Sequence, residues 1–275
     1  MSELTLSVHT APLRELAGGG AFSPTTATLI TGPTEALLVD TGYTRDDLDA
    51  VVALVEASGA RLTAVCITHA HPDHYLGLDA LRERFPGLRA VAAPVVAERI
   101  AAGLETVRDQ WRDRFPGQVL DTASAPEPLS DGRLTVDGEE VILRVVGQGD
   151  IADNCIVHVP SIGAVVAGDI VYNGVHPFLG ASGPEDWPQW IASLDEVAAL
   201  RPRTVVAGHK RPGLPDDPAC VAETRAYIEE FIRLVEGAES ARDVITPLLE
   251  SHPEHANPSA LIGAAKSAMK RKTHA

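Results

Sequence analysis

Long apolar runs are missing from this sequence, and no window approaches the roughly 18 apolar residues that a membrane span needs, so a transmembrane helix is not expected. Cysteine is scarce. Cys66, Cys155 and Cys220 lie far apart with no CxxC pair, which argues against a disulfide framework and a cysteine-based zinc site and leaves reduced, buried thiols. Positive charge is also short: 23 Lys and Arg face 38 Asp and Glu, a formal net charge of −15. Such a field repels phosphate backbones, so no nucleic-acid partner is expected. The one basic run, Lys266, Lys270, Arg271 and Lys272, reads as a solvated tail. The opening MSELTLSVHTAPLRELAGGG lacks a basic stretch followed by an apolar one, from which a cytoplasmic protein with no membrane partner is expected.

What is present is ordinary globular usage, 45% hydrophobic and 22% charged in 275 residues, enough for one large domain or one domain with a helical appendix. ATLIT and ALLVD form a hairpin over 27–40, turned at Gly32-Pro33. A helix over 45–58 stops at Gly59, and Leu62 to Ile67 is a compact buried strand. A helix over 75–85, the strand LRAVAA and a helix over 94–115 follow, the last with Trp111 and Phe115 on one face, either packed or sharing a pocket. After a loop over 122–132, strands are expected at 133–136, 139–146, 155–159 and 163–168. A helix over 184–200 and the short strand 204–207 lead to a helical remainder from about 216, broken near Gly237, His252-Pro253 and Asn257-Pro258. Two strand-rich halves with helices outside imply an α/β fold, an αββα sandwich over 1–212 with a helical extension over 213–275.

Chemistry concentrates directly after the buried strand. Thr68-His69-Ala70-His71-Pro72-Asp73-His74 packs three imidazoles and a carboxylate together, ligands that suit zinc, iron or manganese. His69 and His71 alternate on an extended segment and share one side, while Asp73 and His74 turn to another as a helix starts. One loop can therefore serve two adjacent metal positions. Capping a helix would not need so many imidazoles.

HxHxDH, preceded by Val39-Asp40-Thr41-Gly42 and followed by Gly168-Asp169 and Gly208-His209, resembles the metallo-β-lactamase superfamily over residues 25–212. The resemblance implies that His69, His71 and a third histidine from a later turn hold a first metal. It further implies that Asp73, His74 and His209 hold a second, that Asp169 bridges both, and that Asp40 orients a ligand imidazole. Gly147-Gln148-Gly149-Asp150 stands at the turn, so Gln148 is expected where the family has histidine, either as a weaker amide ligand or as the mark of an empty first position. His176, on a loop after Asp169, is expected to touch substrate; His158 reads as a strand-face histidine, and His9, His252, His255 and His274 as solvent-facing or terminal.

A metal lowers the pKa of a coordinated water towards ~7 and polarises a carbonyl. The expected activity is therefore metal-dependent hydrolysis of a small-molecule lactone, ester, thioester or amide by metal-bound hydroxide, with one or two zinc ions, or iron or manganese. Asp73 is expected to steer the hydroxide and pass a proton to the leaving group, and Tyr172 or His176 to stabilise the oxyanion. Two rivals stand beside it: a mononuclear iron oxygenase of the persulfide-dioxygenase kind, and a catalytically retired binding protein. The C-terminal helices are candidates for a homodimer interface or a lid.

Overall fold

The computed structural model describes residues 4–273, so the expectation for His274 lies outside the described residues. In chain order the elements are β1 (Thr5–Thr10), β2 (Arg14–Glu15), β3 (Ala21–Phe22), β4 (Thr26–Thr31), β5 (Glu35–Val39), α1 (Arg45–Ser58), β6 (Arg61–Ile67), α2 (Pro72–Tyr75), α3 (Leu78–Arg84), β7 (Arg89–Ala92) and α4 (Pro94–Arg114). The second half follows with β8 (Glu127–Pro128), β9 (Arg133–Val136), β10 (Glu139–Gly147), β11 (Asn154–Val159), β12 (Ala164–Val166), β13 (Tyr172–Asn173), α5 (Trp187–Ala199), β14 (Thr204–Val206), β15 (His209–Lys210), α6 (Ala219–Gly237), α7 (Ala241–Ser251) and α8 (Pro258–Lys272).

One sheet has the order β1-β4-β5-β6-β7-β8 and the other β14-β12-β11-β10-β9. Strand periodicity shows how they pack. On β11, Cys155, Val157 and Val159 join the core between the sheets, whereas Ile156 turns outward to the helices; on β12, Ala164 and Val166 face in and Val165 faces out. The outward residues meet Trp190 of α5, Phe231 of α6, Val244 of α7 and Leu261 of α8 in one apolar cluster. Helices α1, α3 and α4 cover the first sheet through Val51, Leu81 and Ile100. The architecture is therefore the expected αββα sandwich with a C-terminal helical segment.

Local chemistry sets the element ends. Thr44 caps α1 by accepting from the Asp47 amide at 3.2 Å, Asp46 and Asp47 face the positive end of its dipole, and Gly59 ends it in the left-handed conformation at φ 69°. Ser240 and Asp243 form a capping box on α7. The helix expected over 75–85 is split into α2 and α3 at Gly77, where a Cβ would lie 2.9 Å from the Thr41 side chain. The helix expected from 184 begins at Trp187, because Gly183 and Asp186 form the preceding turn.

The basic run is solvated at Lys266 and Lys270, as expected, but its other two members are tied back to the protein. Lys272 donates to the carbonyls of Val235, Glu236 and Ala238 at the end of α6, and Arg271 donates to that of Ser182. Among the described residues no helix is long and apolar enough to cross a membrane.

Candidate metal centre

Strand ends converge at one edge of the sandwich. The loop after β6 brings His69, His71, Asp73 and His74; the turn after β12 brings Asp169; the turn between β10 and β11 brings Asp150; and β15, after β14, brings His209. The turns need close backbone approach. A Cβ on Gly208 would lie 2.1 Å from Asp169 Oδ1, and one on Gly149 would lie 2.9 Å from the Asp169 carbonyl, so both positions demand glycine.

The side chains form two groups. His69, His71, Asp150 and Asp169 bring ligand atoms within 4.8 Å of one another, and so do Asp73, His74 and His209. Asp169 joins the groups: its Oδ2 lies 3.7 Å from His69 Nε2 and 3.1 Å from His209 Nε2, and its Oδ1 lies 3.3 Å from His74 Nε2. Asp73 Oδ2 completes the second group, 3.2 Å from His74 Nε2 and 3.5 Å from His209 Nε2.

Hydrogen bonds behind the rings fix which nitrogen faces inward. Asp40, at φ 60°, accepts from the Thr68 amide and hydroxyl, both at 2.9 Å, and from His74 Nδ1 at 2.7 Å. With its one hydrogen given to Asp40, the Thr68 hydroxyl can only accept from His69 Nδ1 at 3.0 Å. The Pro24 carbonyl likewise accepts from His209 Nδ1 at 3.2 Å. Three imidazoles thus turn Nε2 to the centre, the nitrogen whose lone pair a metal would take in place of a proton. Asp40 orients His74, as expected.

The atoms that meet inside fit a cation. His69 Nε2, His74 Nε2, Asp150 Oδ2 and Asp169 Oδ1 are buried with no hydrogen-bond partner. They face one another at ion-pair distances without hydrogen-bond geometry, a convergence of buried lone pairs that a cation between them would satisfy. Burial pushes His69 well below the usual imidazole value, whereas against burial Asp150 raises His71 to about 9 and Asp73 and Asp169 raise His74. Against burial, Asp169 also raises His209. Protons balance the carboxylates where divalent cations would displace them.

Several expectations are corrected. Gln148 lies off the lining of the pocket above the centre and its amide nitrogen donates to the Gly149 carbonyl at 3.1 Å, and the carboxylate beside His69 and His71 is that of Asp150, with Oδ2 2.6 Å from His71 Nδ1. The irregular register between β10 and β11 after Val145 sets which residue of the turn faces the centre. His176 leaves the site altogether. Its amide donates to Ala256, and its Nδ1 lies 2.8 Å from the Tyr227 hydroxyl under α6, because the chain after β13 runs towards the C-terminal helices. His252 and His255 join it there, His255 stacked on Tyr227 and His252 tilted against it, and are not solvent tails. His9 pairs with Asp47 at 3.3 Å.

Tyr172 is at the centre in another way: its hydroxyl donates to Asp169 Oδ2 at 3.0 Å, and its ring stacks on His209 with centroids 5.3 Å apart. Thr25, which the sequence did not single out, donates to Asp73 Oδ2 at 2.9 Å. Above the centre lies a pocket of about 480 Å³, lined among others by Phe22, Trp111, Phe178, Arg114 and Ser259, with His71, Asp73, Asp150, Asp169 and His209 on its floor. Trp111 both packs against Phe115, with centroids 5.5 Å apart, and edges this pocket.

Comparison with known proteins agrees with the geometry. A family model described as the Metallo-beta-lactamase superfamily matches residues 20–209. A hydroxyacylglutathione hydrolase of Dechloromonas aromatica (strain RCB) is 29% identical over 187 residues, 68% of this chain and 57% of that protein. One of Stenotrophomonas maltophilia (strain R551-3) is 37% identical over 91 residues, 33% of each chain. The chain thus spans between a third and just over half of the length of these curated relatives. A solved metallo-beta-lactamase family protein from Thermus thermophilus shares the fold with a TM-score of 0.66 at 22% identity, covering 98% of this chain and 93% of that one.

Proposed function

The chain belongs to the metallo-beta-lactamase superfamily, and from that premise we propose that it is a hydrolase with a two-ion metal centre that cleaves an acyl bond in a small molecule, a thioester before a lactone, ester or amide. The observation that carries this reading is the pair of ligand groups sharing Asp169 on the floor of a pocket of about 480 Å³. His69, His71 and Asp150 would hold one divalent ion, zinc being the first candidate, and Asp73, His74 and His209 the other, with Asp169 between them. Bound there, such ions supply charge that polarises a carbonyl and acidifies water.

The chain's own residues do the rest. Thr25 and Tyr172 hold the carboxylates of Asp73 and Asp169 in place through the hydrogen bonds described above. Phe22, Trp111 and Phe178 offer an apolar surface for the acyl portion, and Arg114 a cation at the rim for an anionic group. Among the described residues no uncommitted acid lines the pocket: its carboxylates and imidazoles are in the ligand groups, and Arg114 cannot yield a proton, while the Tyr172 hydroxyl behind them is given to Asp169. A thiolate leaves without one, and the name of the two curated relatives points the same way. The reading takes 1–212 as the catalytic unit and 213–275 as an extension that walls the pocket through Asn257, Ser259 and Ala260.

The test is a panel of thioesters, lactones and esters assayed before and after chelation and reloading. Hydrolysis that is lost with the metal and restored with it is expected, and Asp169→Ala should lower kcat/KM by at least about a thousandfold. Turnover that survives both treatments refutes the reading.

A further inference from the structure

The first ligand group holds a carboxylate where the family resemblance calls for a third imidazole. Asp150 is buried and preset: its Oδ1 accepts from the Ile151 amide at 2.8 Å and, more weakly, from Asn154 Nδ2 at 3.5 Å, while its Oδ2 pairs with His71 Nδ1 at 2.6 Å. One oxygen is held by its own turn and the other faces a ring of the same ligand group, where a cation would replace the imidazole proton. The two groups then become alike. Each has two imidazoles and one carboxylate of its own, His69, His71 and Asp150 in one and His74, His209 and Asp73 in the other, and both share Asp169.

Resting on the two-ion reading above, we propose that Asp150 is a metal ligand that makes both positions two-nitrogen, two-oxygen sites and so opens the centre to Mn(II) or Fe(II) beside Zn(II). Imidazole suits zinc and carboxylate suits manganese, so each exchange of nitrogen for oxygen moves the donor set towards the harder ion. Zinc keeps the greater raw affinity by the general order of divalent metals. What Asp150 changes is the margin. It also adds a negative charge: three carboxylates, Asp73, Asp150 and Asp169, face two divalent ions where the implied set would have two.

The experiment is metal binding by stripped, full-length protein, titrated separately with Mn(II) and Zn(II) against a competing chelator, with manganese followed by electron paramagnetic resonance. The wild type should take up two Mn(II) per chain with a signal broadened by coupling through Asp169. Asp150→His should widen the ratio of zinc to manganese affinity by about tenfold or more. Asp150→Asn, which keeps the size of the side chain, should hold one Mn(II) fewer, and Gln148→Ala should bind as the wild type does; circular dichroism confirms that each variant is folded.

An unchanged ratio in Asp150→His, two retained ions in Asp150→Asn, or loss of an ion in Gln148→Ala overturns the proposal. Two bound ions and hydrolysis with no effect of Asp150 would leave the hydrolase reading intact and this inference wrong. A shifted ratio without turnover on any substrate would do the reverse.

Discussion

Asp40 touches no substrate-facing surface, yet it decides how two ligand rings stand. Its carboxylate takes the His74 Nδ1 proton directly and, through the Thr68 hydroxyl, obliges His69 to donate as well. Asp40→Ala should therefore lower metal affinity by about 10- to 100-fold, the range for residues that support metal ligands from behind. It should also leave the buried Thr68 amide without its partner, at a cost of about 1–3 kcal/mol. Chelator competition and melting with and without metal measure the two effects separately; unchanged affinity in a destabilised variant would reduce Asp40 to a structural role. Most of the centre was legible because its residues are adjacent in sequence or follow a strand and a glycine, as His69 to His74, Asp169 and His209 do. Asp150 was not, because the turn after β10 carries two polar residues and only its three-dimensional path tells which one faces inward. Thr25 gave no signal, since a lone threonine before a strand looks like any other.

At the scale of elements, strands with buried faces and capped helices could be read, and segments defined by contact could not. β1 has no apolar run and exists by pairing with β4. The loop carrying His176 is near Asp169 in sequence, but it is drawn to α6 and to the segment between α7 and α8. There His176 packs against Tyr227 and His255, and His252 lies 3.1 Å from Glu230, with Arg211 also near His255. Burial and the neighbouring imidazoles push His176 and His255 down to about 4. The ordinary value in the unfolded chain is about 6.5, so between those pH values the unfolded state binds more protons and stability falls as pH falls. At about 1.4 kcal/mol for each tenfold change in proton affinity, the loss should amount to a few kcal/mol for the pair after a discount for the water that reaches His255. Denaturant melts of metal-free protein from pH 7 to pH 4 check this. His255→Asn should flatten the slope, and an identical slope would show that these rings do not carry it.

The whole molecule builds its pocket from both ends of the chain. Phe22 comes from β3, Trp111 from α4, and Asn257, Ser259 and Ala260 from the start of α8, where Ser259 Oγ accepts from the Ala21 amide at 3.1 Å and Asn257 Nδ2 donates to Ser23 Oγ at 2.8 Å. The same helix buries Leu261 in the cluster that covers the outer face of the second sheet. Its packing and the shape of the site are thus one structural unit, so a change in the first should be read in the second. Leu261→Ala should cost about 2–5 kcal/mol of stability by emptying a fully buried position. In protein that remains folded, it should raise KM more than it lowers kcat, because α8 walls the pocket while every ligand lies elsewhere. Urea denaturation and steady-state kinetics on the same preparation decide the matter. A destabilised variant with unchanged KM would confine α8 to covering the sheet, whereas a fall in kcat alone would mean that its displacement reaches the ligands across the β3 contact.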